Sequence, residues 1–313
     1  MSPRIPDIRI PSLAGRRAMV TGGSDGIGLH IATRLARAGA EIVLPVRNPR
    51  KGDAAAATIR DAAPDAQVQT APLDLSSLDS VAEFGEAMRR DGSPVHLLIN
   101  NAGVMTPPDR QTTVDGFEVQ YGTNHLGHFA LVAHLLPVLS AGQARVTSQV
   151  SVAAARGTID WQDPNGEQSY DGMRAYRQSK IALGLFGLEL DRRSQALGWG
   201  ITSNLSHPGV APTSLLAARP ELGRADDTVE VRVIRWASQR GLIVGTAESA
   251  ALPALFAAAS SSALPGRLYG PRGPGHMGGA PAEQALYRPL RSTADAARSW
   301  DLSEQLSGVT YPR

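Results

Sequence analysis

Residues 16–28 read Arg16-Arg17-Ala18-Met19-Val20-Thr21-Gly22-Gly23-Ser24-Asp25-Gly26-Ile27-Gly28 and run straight into the helical pattern IGLHIATRLARAG at 27–39. A short apolar run, a glycine turn and a helix together form the opening of a β-α unit. Such a turn presents free backbone N–H groups and the positive end of a helix dipole, and glycine lets a pyrophosphate approach the backbone. The spacing Gly22-x3-Gly26-x-Gly28 departs from G-x-G-x-x-G, so the loop alone reads either as a nucleotide site or as tight packing. The same residues satisfy G-x-S-x-G with Ser24 as a hydrolase nucleophile. That elbow belongs in mid-sheet, followed by an acid and a histidine, whereas this loop follows the first strand.

Working outward, the alternation repeats. EIVLPV (41–46), DAAAATIRDAA (53–63), VQTAPL (68–73), a helix near 77–90, VHLLIN (95–100), a long helical stretch near 115–139 and ARVTSQV (144–150) follow in turn. A second long helix (174–197), ITSNLS (201–206) and a helix near 246–260 complete the series. Repeated β-α units require right-handed crossovers that place helices on both faces of a parallel sheet. The fold class is therefore α/β, a single Rossmann-type doubly wound parallel sheet. An N-terminal arm (1–15) precedes a dinucleotide-binding catalytic domain (16–270). A flap at about 207–245 carries Leu215, Leu216, Val231, Val233, Ile234 and Trp236 among charges. A glycine- and proline-rich tail (271–313) is expected to pack on the domain without a core of its own.

The chain has 313 residues, 42% of them hydrophobic and 19% charged, enough to bury a core. Its net charge of +2 gives no reason to expect a nucleic-acid partner. With no cysteines there is no disulfide scaffold, thiolate metal site or cysteine nucleophile. The start lacks a signal-peptide core, and no segment approaches the roughly 18 apolar residues of a membrane span. A cytoplasmic protein is the expectation.

Two constellations carry chemistry. Counting about 20 residues beyond the glycines reaches Val46-Arg47-Asn48 at the end of the second strand, with no carboxylate there. A guanidinium at this place suits the 2′-phosphate of NADP(H), with Lys51 nearby and Asp25 opposing; read as a solvated arginine, it leaves NAD open. Tyr176-Arg177-Gln178-Ser179-Lys180 sets a phenol and an ammonium four apart on one helix face. A neighbouring ammonium favours the phenolate and brings a poor acid-base group towards neutrality.

With Asn100-Asn101-Ala102-Gly103, Asn124, Ser151, Tyr176-x3-Lys180 and Pro208-Gly209 following the glycine loop in this order, the sequence resembles the classical short-chain dehydrogenase/reductase family. The stretches NNAGVM, NHLGHF, QSKIAL and LELDRR are similar to its retinol-dehydrogenase-like branch. The resemblance implies hydride transfer between nicotinamide and a lipophilic carbonyl or alcohol. Tyr176 would be the general acid/base, and Lys180 would lower its pKa while binding the nicotinamide ribose. Ser151 would bond the substrate oxygen, and Asn124 would hold a water in the proton relay.

For the cofactor, the resemblance implies Gly22, Ser24, Asp25, Gly26, Ile27 and Gly28 in the loop, Arg47 and Asn48 at the phosphate, and Asp74 and Leu75 at the adenine. Asn101, Ala102 and Gly103 would form the floor, and Pro208, Gly209 and Thr213 the border of the nicotinamide. It also implies a homodimer or homotetramer built on the two long helices. Ser148 remains a second candidate for the serine, because Val150 stands where relatives often pair two serines. His125, His128, His134 and His207 read as structural rather than metal-binding, and the family chemistry needs no metal. Arg192-Arg193 and the basic arm read as solvated charge. A non-catalytic dinucleotide sensor or scaffold is the alternative function.

Overall fold

Arg17–Val20 (β1), Glu41–Val46 (β2), Val68–Pro72 (β3), Leu97–Asn100 (β4), Arg145–Gln149 (β5), Thr202–Ser206 (β6) and Leu268–Pro271 (β7) are all parallel. The sheet order is β3-β2-β1-β4-β5-β6-β7-β8, with Pro281–Gln284 (β8) closing one edge antiparallel to β7. This is the doubly wound Rossmann-type arrangement, with one antiparallel strand added. The computed structural model describes residues 7–211 and 245–313. Thr213 and most of the expected flap lie outside the described residues.

The central strands are apolar on both faces because helices cover both. Ala18, Val20, Leu97 and Ile99 point towards Gly26–Arg37 (α1), Pro49–Ala62 (α2) and Ala247–Ala259 (α6). Met19, Leu98 and Val146 point the other way, to Leu78–Asp91 (α3), Gly127–Ala141 (α4) and Gly172–Leu197 (α5). Helix starts follow local rules: Asp25, Asn48, Ser77 and Asp171 each accept a backbone N–H in the first turn of α1, α2, α3 and α5.

The helix expected from 115 begins later. Buried Glu118 accepts the N–H groups of Gln120 and Tyr121, so the chain turns there before a short helical turn Val119–Tyr121. A π-turn, Gly122–Leu126, then leads into α4.

The region after 264 is also more ordered than its composition suggests. It supplies β7, β8 and a last helix, Thr293–Ser307 (α7). The buried side of α7 is Ala296, Ser299, Trp300 and Ser303, which is no apolar stripe, so the helix escapes a hydrophobic-period reading. Trp300 nevertheless enters the core beside Phe129, Phe186 and Tyr311.

Arg192 and Arg193 are not simply solvated. Both bond Glu189, which is 1% exposed, and the Arg193 guanidinium lies 4.5 Å above the Trp300 ring. Helix α7 packs on α5, and α3 packs on α4. Among the described residues no helix is long and apolar enough to cross a membrane. Trp300→Ala is expected to cost about 3–5 kcal/mol of stability, since a fully buried ring is deleted. Urea unfolding measures this; a midpoint like the wild type would show that α7 is not part of the cooperative core.

Candidate functional site

Strands β1 and β4 are neighbours whose following connections leave on opposite faces of the sheet, and a cleft opens beyond the carboxyl ends of such strands. Here it has a volume of about 530 Å³ and is walled by the loop after β1, the ends of β2 and β3, the 101–104 segment and α5.

The glycine loop has its shape for steric reasons. Gly22 sits at φ +64°, and a Cβ on Gly28 would stand 2.2 Å from the Gly22 carbonyl oxygen. Only glycine fits both places. Asp25 caps α1 through Gly26 N–H at 2.6 Å, so this carboxylate is part of the loop's construction. The floor is tied to the loop by Thr21, whose Oγ1 accepts from Asn101 N at 2.9 Å and Ala102 N at 3.0 Å. Asn101 Nδ2 donates to Thr21 O at 2.8 Å, while its Oδ1 accepts from Gln149 Nε2 at 2.7 Å.

At one end of the cleft stand Arg47, Asn48 and Lys51, where β2 gives way to α2. Asn48 spends its Oδ1 on Lys51 N–H as a helix cap, leaving its amide nitrogen to face a ligand. Leu73, Asp74 and Leu75 form the adjoining wall. Asp74 Oδ1 holds the Ser76 N–H and hydroxyl at 2.9 and 2.6 Å.

At the other end Tyr176 and Lys180 face the cleft from α5, and both are buried. The Ser151 side chain is the polar group that acts on the Tyr176 phenol, while its Oγ accepts from Ala153 N at 3.2 Å. Burial raises its pKa above the ordinary tyrosine value and the Ser151 contact pulls the other way. Lys180 Nζ donates to Gln149 O at 3.0 Å, and burial lowers its pKa to about 8. Asn124 lies just behind: its Oδ1 accepts from Val104 N at 2.8 Å, and its Nδ2 donates to Val104 O and Ser179 Oγ, each at 3.0 Å. The π-turn is thereby fastened to both the floor and α5.

Of the residues singled out from sequence, the loop, Arg47, Asn48, Asp74, Leu75, Asn101, Ala102, Gly103, Tyr176, Lys180 and Pro208 share the one cleft. Ser151 meets Tyr176, whereas Ser148 is buried within β5 and accepts from Asn100 Nδ2 at 3.3 Å. Gly209, next to Pro208, is not part of the cleft lining, and a Cβ on it would stand 2.5 Å from Met277 O. Sequence reading missed Thr21, Val104, Thr123, Gln149 and Val150 as wall residues. Their position at the ends of β1, β4 and β5 or beside Asn124 was the available signal. His125 bonds Ser303 at 2.7 Å, His207 bonds Gln284 at 2.8 Å, and His128 bonds Thr21 and Asn124. Among the described residues no three His, Cys, Asp or Glu side chains converge as a metal site.

Residues 16–222 match the family described as short chain dehydrogenase. The chain is 38% identical to human retinol dehydrogenase 13 over 305 residues, 96% of this chain and 87% of that protein. It is 43% identical to mouse polyprenol dehydrogenase over 211 residues, 66% of this chain and 63% of that one. Among solved structures, an uncharacterized protein from Mycobacterium Paratuberculosis superposes with a TM-score of 0.78 at 35% identity, covering 97% of each chain. The RhlG/NADP active-site complex of Pseudomonas aeruginosa gives a TM-score of 0.62 at 26% identity over 82% of this chain and 94% of that one. The hydrolase reading of Ser24 falls with these matches. The chain belongs to the short-chain dehydrogenase family, in its retinol-dehydrogenase-like branch, a family of NAD(P)-using oxidoreductases acting on alcohols and carbonyls.

Proposed function

We propose that this chain is an NADP(H)-dependent oxidoreductase acting on a lipophilic alcohol or its carbonyl. The observation that carries the reading is one cavity with a guanidinium at one end and a Tyr-Lys pair at the other. The cleft suits a dinucleotide, because glycines keep the loop free of side chains and the first N–H groups of α1 face a helix-dipole site for phosphate. Arg47 and Lys51 would hold a 2′-phosphate, with no acid at the end of β2 to take a bare ribose instead. The NADP named with the Pseudomonas relative supports this, and the retinol and polyprenol in the names of other relatives support a lipophilic substrate.

When bound, the nicotinamide supplies or accepts the hydride. In reduction Tyr176 Oη gives its proton to the substrate oxygen, which Ser151 Oγ orients. The Lys180 ammonium stabilises the phenolate left behind, held in place by the Gln149 carbonyl. Asn124 fixes the floor against α5 and would hold the water that returns a proton to this corner. Asp74 and Leu75 would meet the adenine, and Pro208 with Thr213 would border the nicotinamide. Decanal, all-trans-retinal, propanal and acetone, each assayed with NADPH and NADH by nicotinamide absorbance, test the reading. NADPH oxidation is expected, fastest with the lipophilic aldehydes; no turnover of any carbonyl, or a preference for the short ones, overturns it.

Lys180 also links function to stability. Its folded value of about 8 lies below the ordinary 10.5, so between these values the unfolded chain binds more protons and stability rises with pH; the full cost of the buried ammonium is present below about 8. Lys180→Met keeps the length and removes the charge. It is expected to abolish turnover, and its stability relative to wild type should decline from about pH 8 to about 10.5. Melting temperatures of both proteins across that window decide it; a constant difference would show that Lys180 carries no burial penalty.

A further inference from the structure

His128 opens the first full turn of α4, four residues after Asn124, and is completely buried. Its Nδ1 lies 2.9 Å from Asn124 O and its Nε2 lies 2.9 Å from Thr21 Oγ1. A peptide oxygen can only accept, so Nδ1 carries the hydrogen and Nε2 is the acceptor; the Thr21 hydroxyl, which also lies 3.3 Å from Ile99 O, gives its proton to Nε2 at the shorter distance of 2.9 Å. Thr21 Oγ1 in turn receives the N–H groups of Asn101 and Ala102. A directed chain of hydrogen bonds therefore runs from the floor through Thr21 and the imidazole to the Asn124 carbonyl. Burial, with the charge of Lys180 added, holds the ring near 4 and hence neutral, as this one-donor, one-acceptor role demands. The Asn124 peptide sits in a π-turn, where the regular i→i−4 ladder is interrupted, and the imidazole bonds its carbonyl oxygen.

We propose that His128 is a positioning residue that locks Asn124, on the Tyr176–Lys180 side of the site, to Thr21 and the 101–102 floor on the cofactor side. This rests on the oxidoreductase reading above. Its two nitrogens serve different halves of the site, so the two halves can be separated by substitution. The amide of Asn can replace Nδ1, and the carbonyl of Gln can replace Nε2. His128→Asn keeps the bond to Asn124 and loses Thr21; it is expected to weaken NADPH binding about three- to tenfold, the scale of one neutral hydrogen bond, with kcat little changed. His128→Gln keeps Thr21 and loses Asn124; it is expected to lower kcat by about the same factor with NADPH affinity little changed.

NADPH affinity is read by quenching of protein fluorescence, and kcat with decanal or the fastest carbonyl of the panel. Two variants that lose both properties alike, or neither, overturn the proposal. A wild type that neither binds NADPH nor turns over overturns the functional reading instead. Should a variant fail to fold, ¹⁵N spectra of the wild-type imidazoles decide: His128 must remain the neutral Nδ1–H tautomer from about pH 5 to 9, and an Nε2–H tautomer or a titration near the ordinary value of about 6.5 refutes the arrangement.

Discussion

Tyr176→Phe is expected to lower kcat by about 10²–10⁴, the usual contribution of a general acid-base group, while leaving the fold and NADPH affinity near wild type. Only the hydroxyl is lost, from a buried ring that keeps its packing. The contact with Ser151 goes with it, a smaller effect, since Ser151 Oγ keeps the N–H of Ala153. Direction matters for the pH dependence. Burial holds the phenol above its ordinary value, so the proton needed for carbonyl reduction is present at neutrality. Alcohol oxidation needs the phenolate and should accelerate as pH rises. That alkaline rise should vanish in Tyr176→Phe. Steady-state rates in both directions, with melting temperature as a folding control, are the measurement; wild-type turnover in the variant refutes the assignment of Tyr176.

The second large effect concerns Arg47. Arg47→Ala should reduce the preference for NADPH over NADH by about one to two powers of ten, since removing one partner of a charge-assisted contact costs roughly 1.5–3 kcal/mol and about 1.4 kcal/mol is tenfold. Arg47→Asp should go further, because a carboxylate repels the 2′-phosphate and can accept the ribose hydroxyls of NADH. Lys51, on the same wall, softens the loss. Asn48 contributes less than its position suggests, since its Oδ1 caps α2. Asp25, engaged with Gly26 N–H, is fixed by the loop. The ratio of kcat/KM values for the two cofactors is the readout. A wild type that prefers NADH, or a ratio unmoved by Arg47→Asp, would show a solvated side chain.

Much of the fold and of the candidate cleft is legible in the sequence, and for a common reason. The glycine loop, the β-α alternation and the Tyr176–Lys180 spacing are each set by a few consecutive residues acting through backbone sterics or side-chain period. The order of these pieces also identified the family. What sequence left open depends on partners far apart in the chain. Whether Ser148 or Ser151 meets Tyr176 was settled by where β5 ends: Ser148 is still in the ladder and turned to Asn100, whereas Ser151 lies past the last strand residue, against α5. The antiparallel β8, the late start of α4 and the buried face of α7 lacked a local signal, because short strands and a small polar helix face have no hydrophobic period to read. Glu189 is a buried anchor for Arg192 and Arg193, the second of which lies over Trp300 from the far end of the chain, and His125 found its bond to Ser303 178 positions away. Local rules determined the elements and the chemistry they carry; burial and hydrogen-bond pairing between distant segments decided which of those side chains face one another, since both depend on neighbours that only the folded chain supplies.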